Sequence, residues 1–240
     1  MRLPMAAALA LLGLTQVSPA RLVVLTMQDG ALATRPMPGL GHRPPQPMAA
    51  DLDGDGQAEV LEVESGRASL RRETVTVWSS PAEWEVREAR LTDLDQDEAV
   101  EIALLIWRDF EPWPIDAYIP SPGRIAAFHD SAGRSCHLIL IGWQRGRFAE
   151  LWAGSALARP LAAFEAVDVD ADGSQELAAL EGRYDDPDGR ARTVTVWAWN
   201  GFGFTLRARS SAGRFTDLTV LEQPDGLDLL LAQDSSWRQP

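Results

Sequence analysis

The stretch Asp51-Leu52-Asp53-Gly54-Asp55-Gly56-Gln57-Ala58-Glu59-Val60 decides how this chain folds. Its carboxylates stand at positions 1, 3, 5 and 9 of a short loop, and Gly56 at position 6 permits the left-handed backbone of a sharp turn. The pattern returns as Asp93-Leu94-Asp95-Gln96-Asp97-Glu98-Ala99-Val100-Glu101-Ile102 and as Asp168-Val169-Asp170-Ala171-Asp172-Gly173-Ser174-Gln175-Glu176-Leu177. Three copies, each running into an apolar segment, indicate a repeated structural unit.

The spacing of these carboxylates indicates a hard divalent cation. Alternate residues of a tight turn direct their oxygens toward one point, and such an all-oxygen set suits Ca²⁺, which takes about 6–8 oxygens at roughly 2.3–2.6 Å. Mg²⁺ demands a stricter octahedron, and Zn²⁺ prefers His or Cys, neither of which occurs in these stretches. Without a cation, carboxylates this close would raise one another's pKa values. The pattern therefore predicts about three Ca²⁺ sites.

Two other interpretations of the acidic stretches remain open. An EF-hand needs a carboxylate at position 12 and helical flanks. Glu62 stands at that position in the first copy, but Leu104 and Ala179 stand there in the others, and the flanks show no helical period. The second alternative is an acidic solvated turn without a metal. A single such stretch could easily be a metal-free turn, whereas three matching copies are harder to explain in this way.

The rest of the chain repeats with the acidic stretches. Four predicted β-hairpins span residues 21–34, 74–87, 138–152 and 193–206, and the word Thr-Val-Thr-Val-Trp occurs twice, from Thr74 and from Thr193. After each hairpin come a short segment, an acidic loop and an apolar strand. The fourth acidic loop is degraded and keeps only Asp225 and Asp228. The repeating unit is thus four strands, present about four times.

This repeat predicts an all-β fold, a small β-propeller of about four four-stranded blades. The amino terminus supplies a hairpin without preceding strands, and the carboxyl terminus supplies two strands without a hairpin. The N-terminal hairpin is therefore expected to close the last blade. An incomplete ring that pairs with another chain is the alternative.

The Asp-x-Asp-x-Asp-Gly-x-x-Glu loops followed by apolar strands resemble the FG-GAP or VCBS repeats of integrin-alpha-like β-propellers, over roughly residues 50–232. The resemblance implies that each loop joins the innermost strand of a blade to the next strand and holds one Ca²⁺. Two departures stand out: position 9 is Glu rather than the usual Asp, and Glu98 replaces the usual Gly. No clear Phe-Gly…Gly-Ala-Pro motif is present.

The resemblance also implies a ligand set for each loop, made of four carboxylates and the main-chain carbonyl at position 7. The implied metal ligands are Asp51, Asp53, Asp55, Gln57 and Glu59, then Asp93, Asp95, Asp97, Ala99 and Glu101, then Asp168, Asp170, Asp172, Ser174 and Glu176.

Composition and the amino terminus indicate an exported protein. Residues 1–20 read as a signal peptide, with a basic start at Arg2 and a short apolar run, so residues 21–240 are expected to form a single domain. No segment is long and apolar enough to span a membrane. The net charge of −13 argues against nucleic acid as a partner. The expected location is secreted, periplasmic or on the cell surface.

The functional interpretation rests on a long insertion at residues 108–134, which is rich in Pro and aromatic residues. The main hypothesis is a non-catalytic recognition or adhesion module for an unknown protein or glycan ligand, since the sequence shows no catalytic constellation. One alternative is a propeller-based carbohydrate-active enzyme that uses Asp109 and Glu111 with His129. The other is a structural module of an envelope complex.

Overall fold

A computed structural model of the protein describes residues 21–36, 48–112, 128–186, 190–221 and 229–234. Within these ranges every regular element is a β-strand and no helix occurs, which confirms the predicted all-β class. The strands are β1 (Arg21–Gln28), β2 (Ala31–Pro36), β3 (Ala49–Ala50), β4 (Glu59–Glu64), β5 (Arg67–Arg72), β6 (Val75–Ser79), β7 (Glu85–Thr92), β8 (Glu101–Asp109), β9 (Arg134–Gln144), β10 (Arg147–Ala153), β11 (Leu161–Val167), β12 (Glu176–Glu181), β13 (Thr193–Trp199), β14 (Phe204–Ser210), β15 (Phe215–Leu221) and β16 (Leu229–Asp234).

These strands form three sheets. Strands β3 to β6 form one four-stranded sheet, and β7 to β10 form a second. The other eight strands lie in the order β11-β12-β13-β14-β2-β1-β16-β15. Their sheet has two antiparallel halves, which are joined where β14 and β2 run parallel for two residue pairs, Arg209 with Ala31 and Ser210 with Leu32. The strands therefore make four antiparallel groups: unit 1 (β3–β6), unit 2 (β7–β10), unit 3 (β11–β14) and unit 4 (β15, β16, β1, β2).

Unit 4 is assembled from distant parts of the chain. Strand β1 pairs antiparallel with β16, from Arg21 opposite Asp234 to Leu25 opposite Leu230. Strand β2 continues the sheet through a tight turn at Asp29 and Gly30, both with positive φ, as a two-residue hairpin requires. The predicted pairing of the N-terminal hairpin with the last strands is thus confirmed.

Three of the predicted hairpins are confirmed as β1–β2, β9–β10 and β13–β14, but the hairpin over residues 74–87 is wrong. Strand β6 pairs with β5, whereas β7 pairs with β8 in the next sheet. The sequence does not reveal β5 as the partner of β6, because β5 alternates two fully buried residues, Ala68 and Leu70, with Arg and Ser. Its mean hydropathy is therefore low although its buried face is apolar.

A layer of buried apolar side chains lies between each successive pair of units. One layer joins units 1 and 2 around Leu70 and Leu104, the next joins units 2 and 3 around Leu105 and Phe164, and the third joins units 3 and 4. Strand β8 contributes to two layers: Ile102, Leu104 and Ile106 face unit 1, whereas Ala103, Leu105 and Trp107 face unit 3. Because side chains alternate along a strand, a strand covered on both faces reads as a continuous apolar run.

The first strands of units 2, 3 and 4 lie together at the edges of their sheets, with β11 against both β7 and β15. Arg90 of β7 donates two hydrogen bonds of 3.1 Å to the carboxylate of Glu165 on β11. Glu88 of β7 accepts a hydrogen bond of 3.0 Å from the amide of Phe164. Burial raises the pKa of the Glu88 carboxyl, an effect that the charge of Arg90 opposes. Polar contacts thus join β7 to β11.

Several sequence-based expectations fall outside the described residues. They are the signal peptide at 1–20, the degraded fourth loop with Asp225 and Asp228, and the middle of the insertion, residues 113–127. The base of the insertion is described. Asp109 of β8 pairs with Arg134 of β9, and the Phe110 amide donates to the Gly133 carbonyl at 2.8 Å.

Candidate metal centres

Each acidic stretch connects the first strand of a unit to the second. Loop 1 (residues 51–59) runs from β3 into β4, loop 2 (93–101) from β7 into β8, and loop 3 (168–176) from β11 into β12. The three loops therefore occur at the same end of three successive units. Position 9 is the first residue of the second strand, which places its side chain at the edge of the core.

Three hydrogen bonds recur in all three loops. The position 5 amide donates to the position 1 carboxylate at 3.1, 3.1 and 3.2 Å in loops 1, 2 and 3. The position 7 amide donates to the position 5 carboxylate at 2.9, 2.9 and 2.8 Å. The position 2 amide donates to the position 9 Glu at 3.0, 2.8 and 3.1 Å. Repeated Asx-type contacts of this kind stabilise the turn. The Glu at position 9 connects the end of each loop to its beginning.

Left-handed backbone occurs at positions 4 and 6 of every loop. In loop 1 both positions are Gly, with φ of 75° at Gly54 and 87° at Gly56. Loop 3 has Ala171 and Gly173 there, and loop 2 has no glycine: Gln96 has φ of 60° and Glu98 of 68°. Loop 2 thus keeps the turn with side chains that rarely adopt it. The replacement of Gly by Glu98 changes the local strain and leaves the shape of the loop intact.

The carboxylates at positions 1, 3 and 9 of each loop come together. In each group, one ligand oxygen from every residue lies within 4.8 Å of the others, close enough for one cation: Asp51, Asp53 and Glu59; Asp93, Asp95 and Glu101; Asp168, Asp170 and Glu176. Asp55, Asp97 and Asp172 do not belong to these groups, and each accepts the position 7 amide instead. Coordination by the carbonyls of Gln57, Ala99 and Ser174 stays a prediction.

In loop 2, two buried carboxylate oxygens have no hydrogen-bond partner among the described residues. Glu101 is 1% exposed, and its Oε1 accepts hydrogen bonds of 2.8 Å from the Leu94 amide and the Thr92 hydroxyl. Its Oε2 and the Oδ1 of Asp95 make no hydrogen bond within the described part of the chain. Burial, reinforced by the charges of Asp95 and Asp93, raises the pKa of the Glu101 carboxyl to about 7. Burial likewise raises the pKa of Asp95. A buried oxygen pair of this kind suits a cation as its partner.

Loop 3 also has a buried Glu at position 9. Glu176 is 5% exposed, and burial together with the charges of Asp170 and Asp172 raises its pKa to about 7. Loops 2 and 3 also touch, because the Asp93 amide donates to the side-chain oxygen of Gln175 at 2.9 Å. One hydrogen bond therefore joins loop 2 to loop 3.

Loop 1 differs because a cationic side chain enters its carboxylate cluster. Arg72, the last residue of β5, makes ion pairs with Asp53 and with the buried Glu59, and its Nη1 lies 3.0 Å from Asp55 Oδ2. Its Nε also donates to Glu59 Oε1 at 2.8 Å. The guanidinium lowers the pKa of Asp53, and the carboxylates raise that of Arg72. Sequence reasoning missed Arg72, although two consecutive arginines at a strand end were a visible signal.

The residues of the enzymatic alternative, Asp109, Glu111 and His129, lie at the base of the insertion. His129 packs beside Phe110 with ring centroids 5.2 Å apart, and its Nδ1 lies 2.7 Å from the Asp130 carbonyl oxygen. A different histidine, His137, lies 2.8 Å from the Ser135 hydroxyl, but the two residues are 4% and 0% exposed. Burial lowers the pKa of His137. Both residues of this Ser–His pair are therefore buried on β9 in unit 2.

Comparisons of the chain with protein-family models, with curated proteins and with solved structures found no match. Among the described residues, no helix has the length and apolar character to cross a membrane.

Proposed function

We propose that this protein is an exported, Ca²⁺-binding four-bladed β-propeller of the FG-GAP or VCBS type that acts as a non-catalytic recognition or adhesion module. The observation that carries the proposal is the recurrence of one loop, with the same three hydrogen bonds, at the same position of three successive units. The recurrence supports a repeated structural unit, and the acidic groups of these loops support a hard divalent cation as their ligand.

The arrangement of the units supports a propeller. Apolar layers lie between units 1 and 2, 2 and 3, and 3 and 4, as between the blades of a wheel. The contacts of β11 with β7 and β15 are those expected of innermost strands around an axis. The pairing of β1 with β16 is the contact by which propellers join their ends.

The carboxylates of loops 2 and 3 support Ca²⁺ as the cation. An oxygen-only group made of three acidic residues fits a hard cation, and a cation would offer a partner to the loop 2 oxygens that have none among the described residues. In loop 2 the ion would be held by Asp93, Asp95 and Glu101. Bound Ca²⁺ would neutralise these carboxylates and hold the connection between the first two strands of the unit.

Two clefts on the described surface offer places for a ligand. A cleft of about 200 Å³ lies beside the base of the insertion and is lined by Arg87, Trp107 and Tyr184. It is smaller than the roughly 300–1,000 Å³ usual for small-molecule sites. A cleft of about 440 Å³ lies between units 1 and 2 and includes Trp78 and Arg147. Aromatic rings beside polar groups suit a glycan or a peptide, and the larger cleft reaches the β9–β10 turn, at the opposite end of β9 from the insertion.

The proposal is tested by Ca²⁺ titration and thermal unfolding of residues 21–240. At about one hundred times its Kd, a ligand adds about 2.7 kcal/mol per site. For a chain of this size that corresponds to a rise of roughly 5–10 °C in Tm per site. We expect such a rise with Ca²⁺, reversal by a chelator, and a much smaller effect of Mg²⁺. An unchanged Tm and no binding heat with Ca²⁺ would refute the metal role.

The recognition role is tested separately on glycan and protein arrays, with Ca²⁺ and with chelator. We expect binding that Trp78→Ala or Arg147→Ala weakens at least tenfold if the larger cleft is used. Arg87→Ala in the smaller cleft is the matched variant. Turnover of a polysaccharide, lost in Asp109→Asn, would instead support the enzymatic alternative.

A further inference from the structure

The guanidinium of Arg72 lies against the carboxylate group in loop 1. It contacts Asp53 and Glu59, two of the three residues whose oxygens would hold a cation there, and it also reaches Asp55. Glu59 is fully buried, so its carboxylate has little solvent to balance its charge. Arg72 supplies that balance from within the chain, since a guanidinium can donate to several carboxylates at once.

The same position in the other two units cannot supply a cation. The ladders between the second and third strands pair Val60 with Arg71, Ile102 with Ile141 and Leu177 with Trp197. One step further, the residue opposite the position 9 Glu is Arg72 in unit 1, Gly142 in unit 2 and Ala198 in unit 3. A side chain at Gly142 would collide with Leu151. The difference between the loops is therefore built into the third strand.

We propose that Arg72 is the resident cation of loop 1, so that the protein binds Ca²⁺ in loops 2 and 3 and holds loop 1 together without metal. This inference rests on the proposed Ca²⁺-binding function and assigns the ion to two of the three loops. A divalent ion in loop 1 would have to displace a guanidinium that is already bound to its ligands, and like charges this close repel. Loop 1 is then independent of Ca²⁺ concentration, whereas loops 2 and 3 respond to it.

The test counts bound Ca²⁺ by native mass spectrometry and calorimetry on residues 21–240. We expect two ions in the wild-type protein and three in Arg72→Gln, which keeps a polar side chain of similar length without charge. Arg71→Gln is the matched control, because Arg71 is the neighbouring half-buried arginine and pairs with Glu62 outside the loop. It should bind two. In chelator, Arg72→Gln should melt at a lower temperature than Arg71→Gln, and Ca²⁺ should restore much of the loss.

A second pair of variants does not depend on the folding of Arg72→Gln. Asp51→Asn in loop 1 should leave the count at two, whereas Asp168→Asn in loop 3 should reduce it to one. Three ions in the wild-type protein, with one lost in Asp51→Asn, would overturn the role of Arg72 and leave the proposed function standing. No bound Ca²⁺ in any variant would instead overturn the proposed function.

Discussion

At the residue scale, the position 9 Glu explains how these loops are built. The resemblance to FG-GAP repeats leads one to expect Asp there, yet all three loops carry Glu. The longer side chain reaches back to the amide of position 2 in every loop, at 2.8 to 3.1 Å. One carboxylate thus closes the loop and faces the other acidic groups. The Glu at position 9, where the resemblance leads one to expect Asp, therefore has a structural role in closing the loop.

Glu98 in loop 2 is the clearest target for a stabilising substitution. It adopts φ of 68°, where loops 1 and 3 have Gly. Glu98→Gly should stabilise the protein by about 0.5–1 kcal/mol, since relief of left-handed strain exceeds the added freedom of the unfolded chain. Urea unfolding measures the change. Glu98→Gln, which removes only the charge, should give less than half of the gain, and an equal gain would show that charge rather than backbone strain is decisive.

The pKa values of Glu101 and Glu176 set a pH dependence. Both are raised from an ordinary 4.5 to about 7, so the folded protein holds these protons between those pH values while the unfolded chain releases them. In chelator, their contribution to the free energy of unfolding should therefore fall as pH rises from about 4.5 to 7, by roughly 1–3 kcal/mol for each carboxyl. Saturating Ca²⁺ should oppose this fall, because the ion binds the deprotonated carboxylates.

The measurement compares Tm with pH in chelator and in Ca²⁺. Glu101→Gln and Glu176→Gln should each flatten the decline in chelator, since neither can ionise. Glu62→Gln, at an exposed position of β4, serves as the control. Equal slopes in all four proteins would contradict the assignment.

At the element scale, β8 shows what a doubly covered strand requires. Its residues from Glu101 to Trp107 are buried, and alternate side chains enter the layers toward units 1 and 3. Strand β5 is the opposite case, with Arg and Ser on one face and buried Ala68 and Leu70 on the other. Apolar runs in the sequence therefore indicate β8 but not β5. Without β5, the strand at β6 has no visible partner before it, and the sequence wrongly pairs it with β7 as a hairpin over residues 74–87.

Leu104 tests the packing of β8. It is fully buried between units 1 and 2, so Leu104→Ala should cost about 2–5 kcal/mol through lost contacts and the cavity left behind. Val75→Ala on β6, where the side chain is 61% exposed, should cost less than about 0.5 kcal/mol. Chemical denaturation of both variants measures the difference. Similar losses would mean that the layer between these units is not a packed core.

At the scale of the whole molecule, the pairing of β1 with β16 brings the amino-terminal strands into the last unit. Val23, Leu25 and Leu32 are buried in the layer between units 3 and 4. The hairpin also touches β14 through the short parallel contact of Ala31 and Leu32. Unit 4 therefore links both ends of the described chain to unit 3. Unfolding of unit 4 should for this reason destabilise the other units as well.

Leu25 and Thr26 are neighbours on β1 that test this closure, because one is buried and the other exposed. Leu25→Asp places an unpaired charge in the layer toward unit 3 and should destabilise the protein by more than about 3 kcal/mol. Thr26→Asp should change stability by less than about 0.5 kcal/mol. Tryptophan fluorescence reports the effect, since Trp78 and Trp107 belong to units 1 and 2. Loss of unit 4 without any change in this signal would show that the units fold independently.

The sequence alone determined the strand class, the repeat, the joining of the chain's first hairpin to its last strands, and the gathering of acidic residues in three loops. The strand class, the hairpins and the acidic loops follow from local spacing, because each depends on residues near one another in the chain. The joining of the first hairpin to the last strands is a long-range contact, and the sequence predicts it because the repeat leaves a hairpin at one end and two strands at the other.

Only the tertiary structure decided which loops carry their own counter-charge. Arg72 lies 13 residues after Glu59 in the chain and meets it only because β5 folds back beside β4, while Gly142 and Ala198 take that place in the next two units. Burial likewise decided that Glu101 and Glu176 have raised pKa values, because desolvation depends on what packs above a side chain. The spacing of a motif indicates which of its carboxylates can converge. The register of the neighbouring strands decides which other side chains contact those carboxylates.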